Sequence, residues 1–524
     1  MDKKVNKLFH NIWFWFIFNT LAFALMAWLL PIHFEENDDI AMCMIANGHC
    51  SGTPDGHLVF INALYGWLIA SLYMLTRAVE WYTLVFCALH ILSVTGICYM
   101  VMNDDIWPIL KCLFLIFLYV VWARIIIAFQ FTTTAGLLCF SGCLALRRSS
   151  NRWRMMGLVA IFIASLVRFQ AAALVGVICA PMLIADFIKE RYLGYWLVGV
   201  IILVLFGKSA DAFFYKSPDW AAYKTYNSVR GFINDNPNME LALGNLPEGI
   251  DEKDYQLFCS FEGDPKVMTL SRIQMIKSEI KRGLTLRKAF ANMSQLQLYR
   301  IPIVLIFIGM LLSFLMNNKT VDLPQLHKPP VVFSSFVLVL LVMVYIGMTG
   351  SLKNRVFLCM LLPMTYLLVY DFRIVNGKRG KSIIIGLSMV LLGLILKYGY
   401  QDKKVMSLVR SHQKEFDVLQ YPLVEDYFGT LYTGEFQSEY LSPFEVCRMN
   451  YHPVGLGWMT CIPFQKGILE CHRDFVDSDI AYYGQVDNPP IHILERIQKN
   501  YGISARLVTI DRNEKYALYK FISE

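Results

Sequence analysis

The chain has 524 residues, 56% of them hydrophobic and only 17% charged, with a formal net charge of +7 and a mean hydropathy of +0.45. Soluble globular chains carry roughly 25% charged residues, so there is too little polar surface here to coat a water-soluble particle. The basic excess collects in short loops between apolar runs, which makes it a topology signal and argues against nucleic acid as a partner.

A bilayer-crossing helix needs roughly 20 mostly apolar residues. In chain order the sequence predicts eleven such spans, at about 12–31, 79–101, 107–123, 125–146, 153–169, 171–188, 194–212, 301–317, 330–348, 354–371 and 382–398. The first run follows Lys3, Lys4 and Lys7, exceeds the apolar core of a secretory leader and lacks a small-x-small cleavage site, so it is expected to stay as an anchor. A twelfth apolar run, 58–76, is different. With eleven spans, the clusters Arg147, Arg148, Arg152 and Arg154, Lys189 and Arg191, Lys319 and Lys328, and Arg373, Lys378, Arg379 and Lys381 all lie on the side of the N-terminus. Counting 58–76 as a span would move the Arg147 cluster across, so this run is predicted to be a helix on the outer surface.

The predicted fold class is therefore an all-α polytopic membrane protein with a cytoplasmic N-terminus and an outer C-terminus. A transmembrane domain, 1–398, carries outer loops at 32–78 and 213–300, and an outer domain follows at 399–524. Strand-like runs at 505–510 and 516–521 with a helix over 491–501 predict a small α/β unit there. Six of the thirteen cysteines fall outside the spans: Cys43, Cys50, Cys259, Cys447, Cys461 and Cys471. An oxidising compartment permits disulfides, and Cys43 and Cys50 are close enough in sequence to bridge; six free thiols are the alternative. There is no CxxC pair, so no spacing reads as a zinc site.

Chemistry concentrates just after the first span, at Glu35-Glu36-Asn37-Asp38-Asp39. One reading is a solvated loop that stops the helix. The other is a site: carboxylates beside a bilayer can bind a divalent cation such as Mg or Mn, or supply one group poised to take a proton from a hydroxyl. The loop continues through the turn Thr53-Pro54-Asp55-Gly56-His57 into the surface helix, whose Tyr65, Trp67 and Tyr73 suit the headgroup layer.

A first span, an outer loop opening with Asp, a surface helix and then many spans resembles the GT-C class of membrane glycosyltransferases. The resemblance lies in the layout of the first two hundred residues. It implies transfer of a sugar from a polyprenyl-phosphate donor to a glycan or lipid-linked acceptor, on the outer face of a bacterial inner (plasma) membrane or in the endoplasmic reticulum lumen. It also implies that Asp38 or Asp39, with Glu36 as neighbour, acts as general base or metal ligand. A second likeness is to bacterial multispan proteins with a Tyr-Asn-x-x-Arg stretch in the outer loop, here Tyr226-Asn227-Ser228-Val229-Arg230, followed by Asn234-Asp235-Asn236-Pro237. His57, Tyr226 and Arg230 are accordingly candidate substrate-loop residues. No Trp-Trp-Asp pattern of oligosaccharyltransferases occurs.

A polyprenyl-phosphate donor leaves negative charge on its phosphate when the sugar bond breaks, and cations at the outer ends of spans would hold it. Arg124, Arg168 and Arg355 map there, with Lys353 beside the last; snorkelling to headgroups is the alternative for each. Other features read as structural. Lys208 and Asp211 are expected to pair, Lys281, Arg282, Arg287 and Lys288 form a solvated basic face, and Asn103-Asp104-Asp105 maps to the inner side. Competing functions are a polysaccharide polymerase or ligase of another multispan fold, and a transporter. The absence of a repeat counts against the transporter.

Overall fold

The computed structural model describes residues 7–288, 291, 330–349, 353–371, 378–425 and 427–524. The span expected at 301–317 lies outside the described residues, as do Lys3, Lys4, Lys319, Lys328 and Arg373. Apolar runs become helices because a helix satisfies every backbone polar group within itself, and polar or proline residues mark where each starts. The first five are α1 (Ile12–Leu29), α2 (Asn37–Asn47), α3 (Ala63–Leu75), α4 (Trp81–Met102) and α5 (Pro108–Ile127). Asn11 caps α1 by accepting from the Trp13 amide at 2.9 Å, Asn62 caps α3 through Leu64 at 2.9 Å, and Pro108 opens α5. There follow α6 (Phe131–Leu146), α7 (Asn151–Lys189), α8 (Leu193–Phe214), α9 (Pro218–Asn234), α10 (Glu252–Cys259), α11 (Leu270–Gly283), α12 (Pro330–Thr349), α13 (Asn354–Asp371) and α14 (Lys378–Glu415).

Among the described residues, six helices are long and apolar enough to cross a membrane: Ile12–Leu29, Trp81–Met102, Pro108–Ile127, Asn151–Lys189, Leu193–Phe214 and Ile384–Val424. They present apolar side chains outward, such as Trp13, Leu21 and Trp28 on α1 and Ile201, Leu205 and Phe206 on α8. Surfaces of that kind require lipid. The 13-residue helix α3 is about 20 Å long, too short to span, in keeping with the sequence reading of 58–76.

Helix α7 is two limbs. Arg168 leaves helical geometry at φ −155°, ψ 99°. Arg154, in the first turn, forms an ion pair with Glu190, just past the last turn, at 2.6 Å. In a straight helix those residues would stand about 54 Å apart. The limbs are therefore antiparallel and reverse at Arg168, which accounts for the two spans predicted at 153–169 and 171–188. At the same end as Arg154, Arg147 pairs with Asp186 at 2.6 Å, and Asp104 takes Arg148 at 2.8 Å and the Tyr366 hydroxyl at 2.5 Å. Asp104 thus sits at the opposite end of the bundle from Arg168, where the sequence placed it.

The ends of the bundle on the Arg168 side carry the remaining structure. Strand β1 (His33–Phe34) pairs in parallel with β2 (Ala128–Phe129), tying the exits of α1 and α5 together. Helices α9, α10 and α11 enclose their own core of Tyr226, Ile233, Tyr255, Phe258, Ile273 and Ile276. The C-terminal segment forms a five-stranded sheet, ordered β4 (His452–Val454), β3 (Thr430–Tyr432), β5 (Ile480–Gln485), β7 (Tyr516–Ser523), β6 (Ala505–Arg512). The first three are mutually parallel and the last two antiparallel, with α15 (Ile491–Tyr501) packed beside them. The predicted strands and helix are β6, β7 and α15. Ion pairs join this unit to the α9–α11 unit: Arg496 with Asp251 at 2.9 Å, and His492 with Glu262 at 2.9 Å.

Helix α14 contains the span expected at 382–398 and continues to Glu415, so the segment from 399 begins as an extension of that helix. Two sequence expectations are corrected. Asp211 pairs with Lys224 at 2.9 Å, not with Lys208, whose ammonium instead lies 3.9 Å from the centre of the Phe169 ring. Cys43 and Cys50 are free thiols. Cys43 points from the middle of α2 toward Tyr73 and Glu80, whereas Cys50 lies beyond the left-handed turn at Gly48 (φ 94°) that ends the helix.

Candidate active site

The acidic stretch is shaped by the β1–β2 pair. The Glu35 amide donates to the Phe129 carbonyl at 3.2 Å, Glu36 is extended, and α2 starts at Asn37. Asp38 and Asp39 thus occupy its first turn, where free helix N–H groups favour negative charge. Successive helical residues point about 100° apart, so the two carboxylates part company. Asp39 is fully buried, accepting from the Tyr82 hydroxyl at 2.8 Å and the Phe131 amide at 3.4 Å, and burial holds its carboxyl well above the usual range. Asp38 faces a cavity; burial and the neighbouring Glu36 push its carboxyl up to about 6, against the pull of Arg355 and Arg168. Glu35 is half-buried, and desolvation pushes its carboxyl up to about 7.

That cavity, about 510 Å³, is lined by Glu36, Asp38, Arg168, Arg230, Lys353 and Arg355. The three arginines arrive from different elements, and Lys353 directly precedes the helix that Arg355 opens. Arg355 opens α13 and forms an ion pair with Glu36. Arg168 sits at the reversal of α7, donates to the Phe60 carbonyl at 3.2 Å, and lies 5.3 Å from the centre of the Phe131 ring. Arg230, on α9, is oriented by Asn227, which accepts from its Nε at 2.8 Å. The opposite wall comes from the α9–α11 unit and the C-terminal unit: Glu262, Tyr432, Glu435 and Trp458. Glu262 is held by Tyr482 at 2.5 Å and His492 at 2.9 Å; burial pushes its carboxyl up, but those hydrogen bonds carry it below the ordinary range. Glu435 has one buried carboxylate oxygen with no hydrogen-bond partner.

Two further spaces adjoin. A chamber of about 480 Å³ shares Phe60, Arg168, Arg230 and Asp235 with the cavity and adds Lys208 and Lys224. An apolar groove of about 250 Å³, between α6, both limbs of α7 and α8, shares Ser165 and Phe169 with that chamber.

Four expected site residues lie elsewhere. Arg124 bonds Asp402 on α14 at 3.1 Å and lines none of these spaces, because the last turn of α5 aims it at that helix. Asp39 is spent on Tyr82. His57 is fixed by Asp55 at 2.6 Å and by the Phe214 carbonyl at 3.2 Å, with its ring stacked on Trp220 at 4.6 Å. The Tyr226 hydroxyl donates to the Met268 carbonyl at 3.1 Å inside the α9–α11 core. Among the described residues, no group of three or more His, Cys, Asp or Glu is placed to hold a metal ion, and Asp38 and Asp39 do not converge. Sequence reasoning missed Phe60, Glu262, Tyr432, Glu435 and Trp458. None lies in a pattern that distinguishes it from an ordinary loop or strand residue, whereas Asp235 belonged to the noted Asn-Asp-Asn run.

No protein-family model matches the chain, and no curated protein matches its sequence. Among solved structures, the chain is similar to ArnT from Cupriavidus metallidurans bound to undecaprenyl phosphate, with 11% identity and a TM-score of 0.44 over 96% of this chain and 97% of that one. The apo state of ArnT from the same organism aligns at 12% identity and a TM-score of 0.40, over 95% of this chain and 96% of that one.

Proposed function

We propose that this chain is a membrane glycosyltransferase of the GT-C kind, moving a sugar from a polyprenyl-phosphate donor to a glycan or lipid-linked acceptor at the outer face of the membrane. The observation that carries this reading is the convergence of one poised carboxylate, Asp38, with Arg168, Arg230, Lys353 and Arg355 on a single cavity. These residues come from four separate stretches of chain, and the transfer needs both a base and cations at one site.

In the proposed reaction the acceptor hydroxyl donates its proton to Asp38 while its oxygen attacks the anomeric carbon. The bond from that carbon to the phosphate oxygen breaks, and the electron pair stays on the phosphate. Arg168, Arg355 and Lys353 stabilise that charge, which grows in the transition state and so lowers the barrier. One displacement inverts the anomeric centre and needs no protein nucleophile. An Asp38 carboxyl near 6 is ionised at neutral pH yet basic enough to accept a proton. The continuity of apolar groove, cationic chamber and cavity suits a ligand with a hydrocarbon tail and an anionic head. In this reading the polyprenyl chain lies between α6, α7 and α8, with its phosphate at Arg168, where the chamber meets the cavity that Arg355 and Lys353 line. Asp38 works without a metal in this scheme, since Asp39 is turned away from it.

The test is turnover by the purified chain in nanodiscs. A panel of undecaprenyl-phosphate-linked sugars, labelled in the sugar, would be presented with membrane glycolipid extracts as acceptor. Release of undecaprenyl phosphate that depends on acceptor and is lost in Asp38→Asn supports the assignment. Equal release by wild type and Asp38→Asn would sink it.

A further inference from the structure

We propose that Cys43 and Cys447 are a bridging thiol pair, forming a disulfide that pins α2, which carries Asp38, to the C-terminal unit. The inference rests on placing both segments on the outer face and is independent of the transferase reading.

Cys43 and Asn47 stand one helical turn apart and so share a face of α2. Cys447, in the turn Val446–Arg448, lies over that face: Asn47 Nδ2 donates to Cys447 Sγ at 3.7 Å. Both cysteines also converge on one buried carboxylate. Cys43 Sγ donates to Glu80 Oε2 at 3.6 Å and lies 3.3 Å from the Tyr73 hydroxyl, while the Cys447 amide donates to Glu80 Oε1. Glu80 is only 7% exposed, so the two residues approach it within a closed space. A disulfide needs Cβ atoms within about 3.5–4.5 Å, and rotating a thiol leaves its Cβ in place. Closing the bond therefore takes a small shift of the Val446–Arg448 turn toward α2 as well as turning both thiols off Glu80 and Asn47. Cys50 offers no such geometry, since the Gly48 turn carries it away from this face.

The chemistry balances with a disulfide oxidant. Cys447 is the more exposed of the two and reacts first; its sulfur displaces one sulfur of the oxidant, which leaves as a thiol carrying the Cys447 proton. Cys43 then attacks the Cys447 sulfur and passes its proton through Glu80 to the second departing sulfur. Two thiols lose two electrons and two protons, and the oxidant becomes two thiols. The bond closes a loop of about 400 residues and joins two walls of the cavity, Ile40 to Met44 on one side and Tyr432 to Met459 on the other.

The experiment uses the full chain in membranes, quenched with N-ethylmaleimide, digested without reductant and read by mass spectrometry. A second aliquot is purified, fully reduced and reoxidised with oxidised glutathione. The expected result is a peptide pair joining Cys43 to Cys447 in both. The pair disappears on reduction, and reduction lowers Tm by several degrees in wild type but not in Cys447→Ser. A bridge that forms with glutathione but is absent from membranes supports the pairing and counts against the outer-face placement. Two outcomes overturn the proposal: Cys43 joined to Cys50, or Cys43 and Cys447 both still alkylatable after glutathione has modified the exposed Cys461.

Discussion

Arg355 forms an ion pair with Glu36 across 319 residues of sequence, at the edge of the cavity that Asp38 faces. The pair places a guanidinium beside the candidate base before any ligand arrives, while Glu36 raises the carboxyl of Asp38. One residue thus positions the cation and tunes the base.

Arg355→Ala is expected to lower kcat/KM by about a hundredfold, the scale for losing one donor to a developing oxyanion. Arg355→Lys should recover only part, because a point charge replaces a planar fork. Donor titrations with each variant check this. An unchanged donor KM with unchanged kcat in Arg355→Ala would remove Arg355 from the site.

The two aspartates should behave oppositely. Asp38→Asn is expected to cut kcat by about a hundredfold or more, as loss of a general base does. Burial holds the Asp39 carboxyl well above the usual carboxylate range and so favours its neutral form, which Asn resembles. Asp39→Asn should keep kcat within about threefold, because the chemistry does not use this group. Steady-state rates of both variants, read beside their melting temperatures, decide whether the carboxylates have been assigned correctly.

Activity should rise with pH through about 6 as Asp38 loses its proton, since the acid form cannot accept another. Stability should run the other way. Carboxyls raised on folding, Asp38 to about 6 and Glu35 to about 7, favour the folded state fully below their unfolded value near 4, and that contribution is lost as pH rises through 6 and 7. Melting curves between pH 5 and 8 should show the decline, and Asp38→Asn should make it shallower by removing the part near pH 6 while the Glu35 part remains.

Arg124 and Asp402 are expected to matter for stability alone. Each single alanine leaves a charge in a partly buried place, whereas the double substitution leaves none. The double variant should therefore melt no lower than either single, with kcat within about threefold of wild type. A kcat loss in Arg124→Ala comparable to Arg355→Ala would return Arg124 to the donor site.

The spans were legible because lipid-facing helices must be apolar over a fixed length, and the break between limbs at Arg168 could be read from its lone charge. Asp38, Arg168, Lys353 and Arg355 were legible because charge at the end of a span is costly and so selective. The direction of a side chain was not. Asp38 and Asp39 look alike in sequence, and only the pitch of α2 turns one toward the cavity and the other into Tyr82. Arg124 matched the same rule as Arg168, but its partner Asp402 lies 278 positions away on a helix whose extension past 398 the apolar pattern did not reveal. Glu262 and Glu435 belong to units whose docking depends on many weak polar contacts, and no local pattern encodes that.

Arg168 stands on a reversal with no loop, so its height is set by counting residues. The first limb, 151–167, is about 25 Å long, and Arg168 stands about 21 Å above the ring of ion pairs at Arg154. A rigid strut of that length works as a gauge of bilayer thickness. In a bilayer much thicker than the strut the guanidinium would be drawn below the headgroup plane, and in a matched one it stands level with it. Turnover should then depend on acyl-chain length even with substrate and sequence held constant, making the lipid environment a parameter of the site.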